Sequence, residues 1–492
     1  MSLRKLGGET LIYGLSSVLG KVLNFVVATY FLLQLMSREE LGVVGDLMYY
    51  TAFLIAVLVF RMDTVVFRFA SRAAFDAEAV FRKAQRWVVV ATLVVVGGLL
   101  LFSSAVADAL QYPDRVPYVW LVLLTVGFDV LSAVPQARLR LEQRPWFFVA
   151  VNLGNVVVNI LMFFLLLYVW RWNADWVTEH WGIVYSTYWE VGYYLVGMAV
   201  AAAFRYLLLW VDGLRRRRAG GDGTTPTYET ILRYALPLTV VTAAGITNFL
   251  VAPSIIKFYH GGTVTQNEAF AGDFNVAMKL AVLLNLFVTA YNYAAEPFFF
   301  RQAGQAGAAA DRSIYADAAR AYTLVAALAS AGILLFLPLI ADLMVPLSKR
   351  GGLYVLPLLL AGNFFFGLYS NLSVAYKLTD KTAYGGAIAV LGSVIVVGGS
   401  MLFVPVYGIL APAVAMFTCF TVMCALAYAV SVRFFPVAYP VGRILLLATL
   451  AAGASWLGWP LESLALRALI FLALVAACGL VERRWIARTF GR

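Results

Sequence analysis

Residues 10–60 read TLIYGLSSVLGKVLNFVVATYFLLQLMSREELGVVGDLMYYTAFLIAVLVF. Two apolar runs are separated by one short polar turn, Ser37-Arg38-Glu39-Glu40. A bilayer core is crossed by roughly 20 predominantly apolar helical residues, so the stretch reads as two membrane helices joined tightly. Arg4 and Lys5 precede the first run, which extends from about Leu11 to Leu35. It is too long for a signal-peptide core and lacks a small-residue cleavage site, which makes it the first span.

The same pattern fills the chain. Of 492 residues, 62% are hydrophobic and 13% charged, and the mean hydropathy is +0.84; soluble domains are nearer 45–50% apolar and about 25% charged. This composition excludes a soluble enzyme, a secreted disulfide scaffold and a disordered chain, and predicts an all-α polytopic membrane protein. Fourteen spans are expected, at about 9–35, 41–66, 86–107, 116–137, 146–170, 189–212, 229–252, 269–299, 314–341, 352–377, 384–404, 408–432, 441–458 and 464–481. Cys419, Cys424 and Cys478 all lie in apolar segments, where an odd count and an i, i+5 spacing read as packing rather than a disulfide framework. His180 and His260 lie 80 residues apart in the sequence, so neither a zinc site nor a His-based catalytic site is visible.

The net charge of +11 is distributed in short runs between the apolar segments, which reads as topology rather than as a nucleic-acid footprint. With the N-terminus inside, 27 of the 37 Lys and Arg fall on the cytoplasmic side, Arg205 among them, and seven outside, Lys257 and Arg467 among the latter; Lys21, Arg61 and Lys279 fall within spans. Both termini are therefore expected in the cytoplasm. The longest external segment, Arg171 to Tyr188, is rich in Trp and is expected to rest at the membrane interface. The longest cytoplasmic one, DGLRRRRAGGDGTTPTY at 212–228, has the composition of a flexible linker. The expected organisation is an N-terminal six-helix lobe at 1–212, a linker at 213–228, a C-terminal six-helix lobe at 229–433, and an added helix pair with a basic tail at 434–492. Gly45-Asp46 opens the second span and Gly272-Asp273 the eighth, a faint repeat six helices apart.

Polar residues inside spans are costly and face a bundle interior or a wet cavity. In the first span Ser17, Lys21, Asn24 and Ala28 share a helical face; in the second, Asp46, Tyr50, Phe53, Val57, Arg61, Thr64 and Arg68 do so. The fourth carries Thr125, Asp129, Ser132 and Gln136, the fifth Asn152, Asn155 and Asn159, and the eighth Asn285, Thr289, Asn292 and Glu296. Each stripe also reads as interhelical hydrogen-bond glue, with Lys21 and Asp129 as a structural ion pair. Five stripes together are what a hydrophilic cavity requires.

The opening TLIYGLSSVLGKVLNFVVATYFLLQLMSREELGVVGDL resembles the start of bacterial polysaccharide transporters, in which a long first helix is followed by a turn like Ser37, Glu39 or Glu40, Leu41, Gly42. FRMDTVVFRFASR, AGDFNVAMKLAVLLNLFVTAYNYAAEPFFFRQ and FVPVYGILAPAVA resemble further segments of that family, although Leu410-Ala411-Pro412 departs from its Tyr-Gly-x-x-Gly-Ala pattern. The family is the oligosaccharide flippase branch of the multidrug/oligosaccharidyl-lipid/polysaccharide exporter superfamily, and fourteen spans is similar to the lipid II flippases. The resemblance implies two pseudo-symmetric six-helix lobes around a central cavity, rocking between inward and outward states in a bacterial inner membrane, and a last helix pair forming part of a lipid-accessible groove.

On this reading the substrate is a lipid-linked oligosaccharide on a polyprenyl pyrophosphate, with membrane lipids and polysaccharide-assembly proteins as other partners. Lys21 and Arg61 supply a point charge and a fork for the diphosphate. Asn24, Asn152, Asn155, Asn159, Asn285 and Asn292 supply amides for sugars. No cofactor is expected beyond a coupling ion, proton or sodium, for which Asp129 and Glu296 are the candidate sites. An inside-negative potential favours outward movement of the anion by about 2.3 kcal/mol per charge per 100 mV. The alternatives are a drug or organic-cation antiporter of the same fold, which would want an acidic and aromatic cavity, and a membrane glycosyltransferase or polymerase, for which no catalytic constellation is found.

The charge asymmetry makes a direct prediction. A cysteine placed in the Arg215–Arg218 run, in a background lacking the three native cysteines, should resist a membrane-impermeant maleimide in intact cells and react once the membrane is opened. Labelling from outside would invert the topology.

Overall fold

The turn between the first two expected spans is a helix cap. In the computed structural model Tyr30–Leu35 (α1) ends at Met36, and Arg38–Val59 (α2) starts behind Ser37. The Ser37 hydroxyl accepts from the Glu40 N–H at 3.2 Å, and the Glu40 carboxylate accepts from the Ser37 N–H at 2.8 Å. Two donors orphaned at the helix start are thereby satisfied reciprocally, which is the physical content of the Ser37, Glu40 turn.

The structure describes residues 22, 23, 25, 29–72, 74–215, 224–306, 312–379 and 381–490, with 290, 292–306, 377, 382 and 488–490 described for the backbone alone. After α2 come Met62–Ala70 (α3), Ala77–Leu101 (α4), Ser103–Ala109 (α5), Val116–Leu141 (α6) and Pro145–Phe163 (α7), the last continuing through a π turn at Phe164–Val169. Next are Ala174–Trp181 (α8), Glu190–Arg215 (α9), Tyr228–Leu250 (α10), Ala252–Tyr259 (α11) and Val264–Ala306 (α12). Ser313–Leu335 (α13), Leu337–Met344 (α14), Leu356–Leu372 (α15) and Val374–Leu378 (α16) follow, then Thr382–Tyr407 (α17), Leu410–Phe434 (α18), Val441–Gly458 (α19) and Leu464–Phe490 (α20). No strand occurs among the described residues. Among the described residues, thirteen helical segments are long and apolar enough to cross a membrane. They match the second to fourteenth expected spans one for one, while most of the first lies outside the described residues. The chain is an all-α, multi-pass membrane protein.

By packing, the chain falls into two compact units, Met1–Gly272 and Asp273–Arg492. In the first, α9 packs on α6 and α7, α4 on α6, and α10 and α11 on α2. The beginning of α12 joins this unit because backbone meets backbone there. A Cβ at Gly42 would lie 1.9 Å from the Glu268 carbonyl oxygen, and one at Gly272 would lie 1.8 Å from the Arg38 carbonyl oxygen. Only glycine fits at either place, as at other close helix crossings in membranes. The described end of the 213–228 linker is tied down rather than loose. The Asp76 N–H donates to the Thr224 carbonyl at 3.1 Å, the Thr224 hydroxyl to the Ala74 carbonyl at 2.7 Å, and the Lys83 ammonium to the Pro226 carbonyl at 2.6 Å.

In the second unit α18 packs on α15 and α17, and α13 on α15, α19 and α20. Two buried charges fasten the last helix pair. Glu482, fully buried, pairs with Arg320 of α13 and lies 3.8 Å from Arg443 of α19. Arg467, read above as an external charge, is buried instead: its guanidinium donates to the carbonyls of Leu461 at 2.7 Å, Leu335 at 3.1 Å and Trp459 at 3.3 Å. A cation beside the C-terminal carbonyls of α13 and α19 is favoured by their dipoles.

The glycine crossing is testable against an internal control, because a Cβ at Gly97 in α4 meets nothing within 4 Å. Gly42→Ala should lower unfolding stability in detergent by about 1–3 kcal/mol through overpacking, whereas Gly97→Ala should be neutral or stabilising by up to about 1 kcal/mol. Equal effects would show that no close crossing exists at Gly42.

Candidate functional site

The second span is not one continuous helix. α2 stops at Val59, and Phe60 (φ 50°) and Arg61 (φ 53°) both take the left-handed conformation before α3 resumes at Met62. Each such non-glycine residue costs about 1–2 kcal/mol. The expected face from Asp46 through Arg61 to Arg68 is therefore interrupted, because neither Phe nor Arg signals a break. Tertiary packing holds it: the Phe60 ring lies 5.5 Å from that of Trp87 on α4, and Met62, Val65 and Val66 of α3 are buried. Arg61 is left half-buried, with Asp63 4.0 Å from its Nε; that nitrogen is itself buried and makes no hydrogen bond. Irregular backbone at membrane depth is tolerated where it is buried in protein or lines a wet cavity.

Asp46, in the N-terminal half of α2, is fully buried and bonded through both carboxylate oxygens. Its carboxylate accepts from the Tyr112 hydroxyl at 2.7 Å, the Ser254 hydroxyl at 2.5 Å and the Lys257 ammonium at 3.2 Å. Lys257 was expected on the external surface; it is 1% exposed, donates also to the Leu110 carbonyl and lies 3.2 Å from the centre of the Tyr112 ring. Burial pushes the Lys257 ammonium below the ordinary lysine range, and Asp46 acts in the opposite direction. Asn267 of α12 closes the cluster by donating to the Lys257 carbonyl at 2.9 Å.

A second polar group gathers on α9. Asp129 of α6 pairs with Arg205, and Asn155 of α7 donates to the Ala201 carbonyl at 2.8 Å, one turn earlier on α9. Arg205 was counted above among the cytoplasmic charges; it lies in the span Thr187–Arg215. Asp129 thus has a partner other than the Lys21 considered above. Asn152 donates to its own helix at the Phe148 carbonyl, 2.8 Å away, and Asn159 is half-buried.

In the second unit Asn285 donates to the Asn363 side chain at 3.2 Å, and Thr289 to Asn285 at 3.4 Å. Tyr291 donates to Asn371 at 2.6 Å. Asn363 and Asn371 stand two turns apart on α15 and were missed from sequence; their i, i+8 spacing was the available signal. Lys279 is half-buried and makes no ion pair among the described residues. An apolar cavity of about 640 Å³ opens between α13, α15, α18 and α19, lined by Leu334, Leu360, Phe364, Phe417, Trp456 and Trp459 among others. Lys21 and Asn24, and the side chains of Asn292 and Glu296, lie outside the described residues.

No protein-family model matches the sequence, and no curated protein sequence matches it. The fold does match solved structures. It is similar to the lipid II flippase MurJ in an inward closed conformation, at 12% identity over 97% of this chain and 100% of that one, with a TM-score of 0.73. It is similar also to an inward-facing multidrug resistance MATE family transporter of the MOP superfamily, at 14% identity over 86% and 95% with a TM-score of 0.65, and to MATE in a bent conformation, at 13% over 90% and 95% with a TM-score of 0.57. The resemblance read from the sequence is borne out as a shared fold.

The Asp46 cluster predicts strong coupling. Lys257→Met leaves a carboxylate buried without its cation and should cost about 3–5 kcal/mol. Asp46→Asn combined with Lys257→Met should recover much of that loss in detergent unfolding; strictly additive effects would mean the two do not act as a pair.

Proposed function

We propose that the protein is a flippase that moves a lipid-linked oligosaccharide, carried on a polyprenyl pyrophosphate, from the cytoplasmic to the outer leaflet by alternating access, for cell-surface polysaccharide biosynthesis. Its site would be the inner membrane of a bacterium, with both termini cytoplasmic. The observation that carries the reading is Arg61, an arginine at a helix break within a span, whose nearest carboxylate stands 4.0 Å away and whose Nε has no acceptor. A guanidinium so placed offers a bidentate fork to a phosphate. Lys279, without an ion pair among the described residues, supports the same chemistry in the second unit. The apolar cavity bounded by α13, α15, α18 and α19 suits a hydrocarbon chain, since its walls are almost wholly apolar side chains.

Lys21 and Asn24 are retained as proposed partners of the diphosphate and sugars, together with Asn159, Asn285 and Asn292. Asn152 and Asn155 each commit one amide N–H to a backbone carbonyl, which leaves the second N–H and the oxygen of each for a sugar hydroxyl. Glu296 and Asp129 are proposed to serve a coupling proton or sodium ion; the Arg205 pair gives Asp129 a competing structural role. The organic-cation exporter, which shares the fold, is disfavoured because Arg61 and Lys279 would repel its substrate.

The test is flipping of a polyprenyl-pyrophosphate oligosaccharide in proteoliposomes. Loss of one charge-assisted contact, about 1.5–3 kcal/mol, should reduce apparent affinity about 10- to 150-fold in Arg61→Ala. Arg61→Lys should be intermediate because the fork is lost. Wild-type flipping by correctly inserted Arg61→Ala protein would remove the anion site.

A further inference from the structure

The segment between the fifth and sixth spans carries an exposed aromatic surface that transport of a headgroup does not use. α8 contains no buried residue. At about 100° per residue, Trp176, His180, Val177 and Trp181 occupy one arc, and Thr178, Asp175 and Glu179 occupy the opposite one. The Trp176 and His180 rings stack with centres 4.4 Å apart, and Trp181 lies 6.1 Å from Trp176. Trp181 is 68% exposed, Trp172 just before the helix 73%, and Tyr188 just after it 91%. The helix is closed by Gly182, in the left-handed conformation, whose N–H donates to the Thr178 carbonyl at 3.0 Å.

The tethers fix what this surface meets. The preceding span ends at Trp172, so Asn173 alone separates it from α8, and the following span begins at Thr187. One residue reaches at most about 3.6 Å, which holds the N-terminus of α8 at the membrane boundary. Its length, about 12 Å at 1.5 Å per residue, and the return of the chain to the next span at Thr187 keep every ring within about 12 Å of that boundary. Tryptophan and tyrosine are favoured there, with rings among the upper acyl chains and polar edges in the headgroups.

We infer that α8, with Trp172 and Tyr188, lies flat in the headgroup zone of the outer leaflet as an interfacial anchor, its aromatic arc facing lipid and its acidic arc facing water. Residues 172–189 contain Asp175 and Glu179 and no Lys or Arg. The attraction is therefore burial of aromatic surface and not charge, the reverse of basic amphipathic helices that depend on anionic lipid.

Spin labels at His180→Cys and Glu179→Cys in the full-length protein in lipid nanodiscs test this. The native cysteines are buried, so the unsubstituted protein serves as the labelling blank. The label at 180 should collide several-fold more with oxygen than with a nickel chelate, and the label at 179 the reverse. The contrast should be the same in neutral and anionic lipid and at low and high salt. Introducing Trp176→Glu and Trp181→Glu should abolish it at 180 while leaving the unfolding midpoint of the protein unchanged. Nickel access at both positions in a pure lipid nanodisc would overturn the inference, and so would protection at 180 that arises only on adding cell-envelope protein, which would mark a protein partner. Dependence on anionic lipid would overturn the stated driving force.

Discussion

A carboxylate and an ammonium shut away from water organise the first unit. Asp46 and Lys257 are each about 1% exposed at the side chain, where an isolated charge would cost several kcal/mol. Each is stable only while the other is present, together with the Tyr112 and Ser254 hydroxyls and the Leu110 carbonyl. Satisfying the pair requires α2, α11 and the turn after α5 to converge. The glycine crossing of α2 with the start of α12 brings Asn267 to the same place.

Against this rigid end, the Phe60–Arg61 interruption is the opposite kind of feature. Its left-handed residues cost energy, and its guanidinium is incompletely paired. Strain and unmet hydrogen-bonding capacity that persist in a lipid environment are expected at sites that act on something else. That contrast separates Asp46, both of whose oxygens are bonded within the protein, from Arg61, whose buried Nε makes no hydrogen bond, although both were read from one stripe. Asp129 and Asn155 fall on the first side of the division, since α9 supplies a partner to each one turn apart.

The second unit follows the same logic. Its amides and phenols are paired across helices, as Asn285 with Asn363 and Tyr291 with Asn371, while Arg467 and Glu482 fasten the last two helices to α13. The cavity is lined on one side by α19, whose C-terminal end Arg467 holds through the Trp459 carbonyl.

The sequence by itself determined the class of protein, thirteen of the spans now described, and the cap at Ser37 and Glu40. Each of these is local: apolar length over about 20 residues, or a hydrogen bond over three. The resemblance carried by loose motifs also sufficed for the fold. What the sequence left undecided was which polar residues are already spoken for. Lys257, Arg205 and Arg467 read as loop or topology charges, because each is held in part by a group far off in the chain, Asp46, Asp129 and the Leu335 carbonyl, 211, 76 and 132 residues away. The break at Phe60 and Arg61 had no signal either, since neither residue type marks a helix end and it is held by tertiary packing, Phe60 on Trp87 and Met62, Val65 and Val66 in the core. Periodicity places side chains on a face of a helix; only tertiary structure decides whether that face meets a partner, and so whether a charge is structural or free to bind.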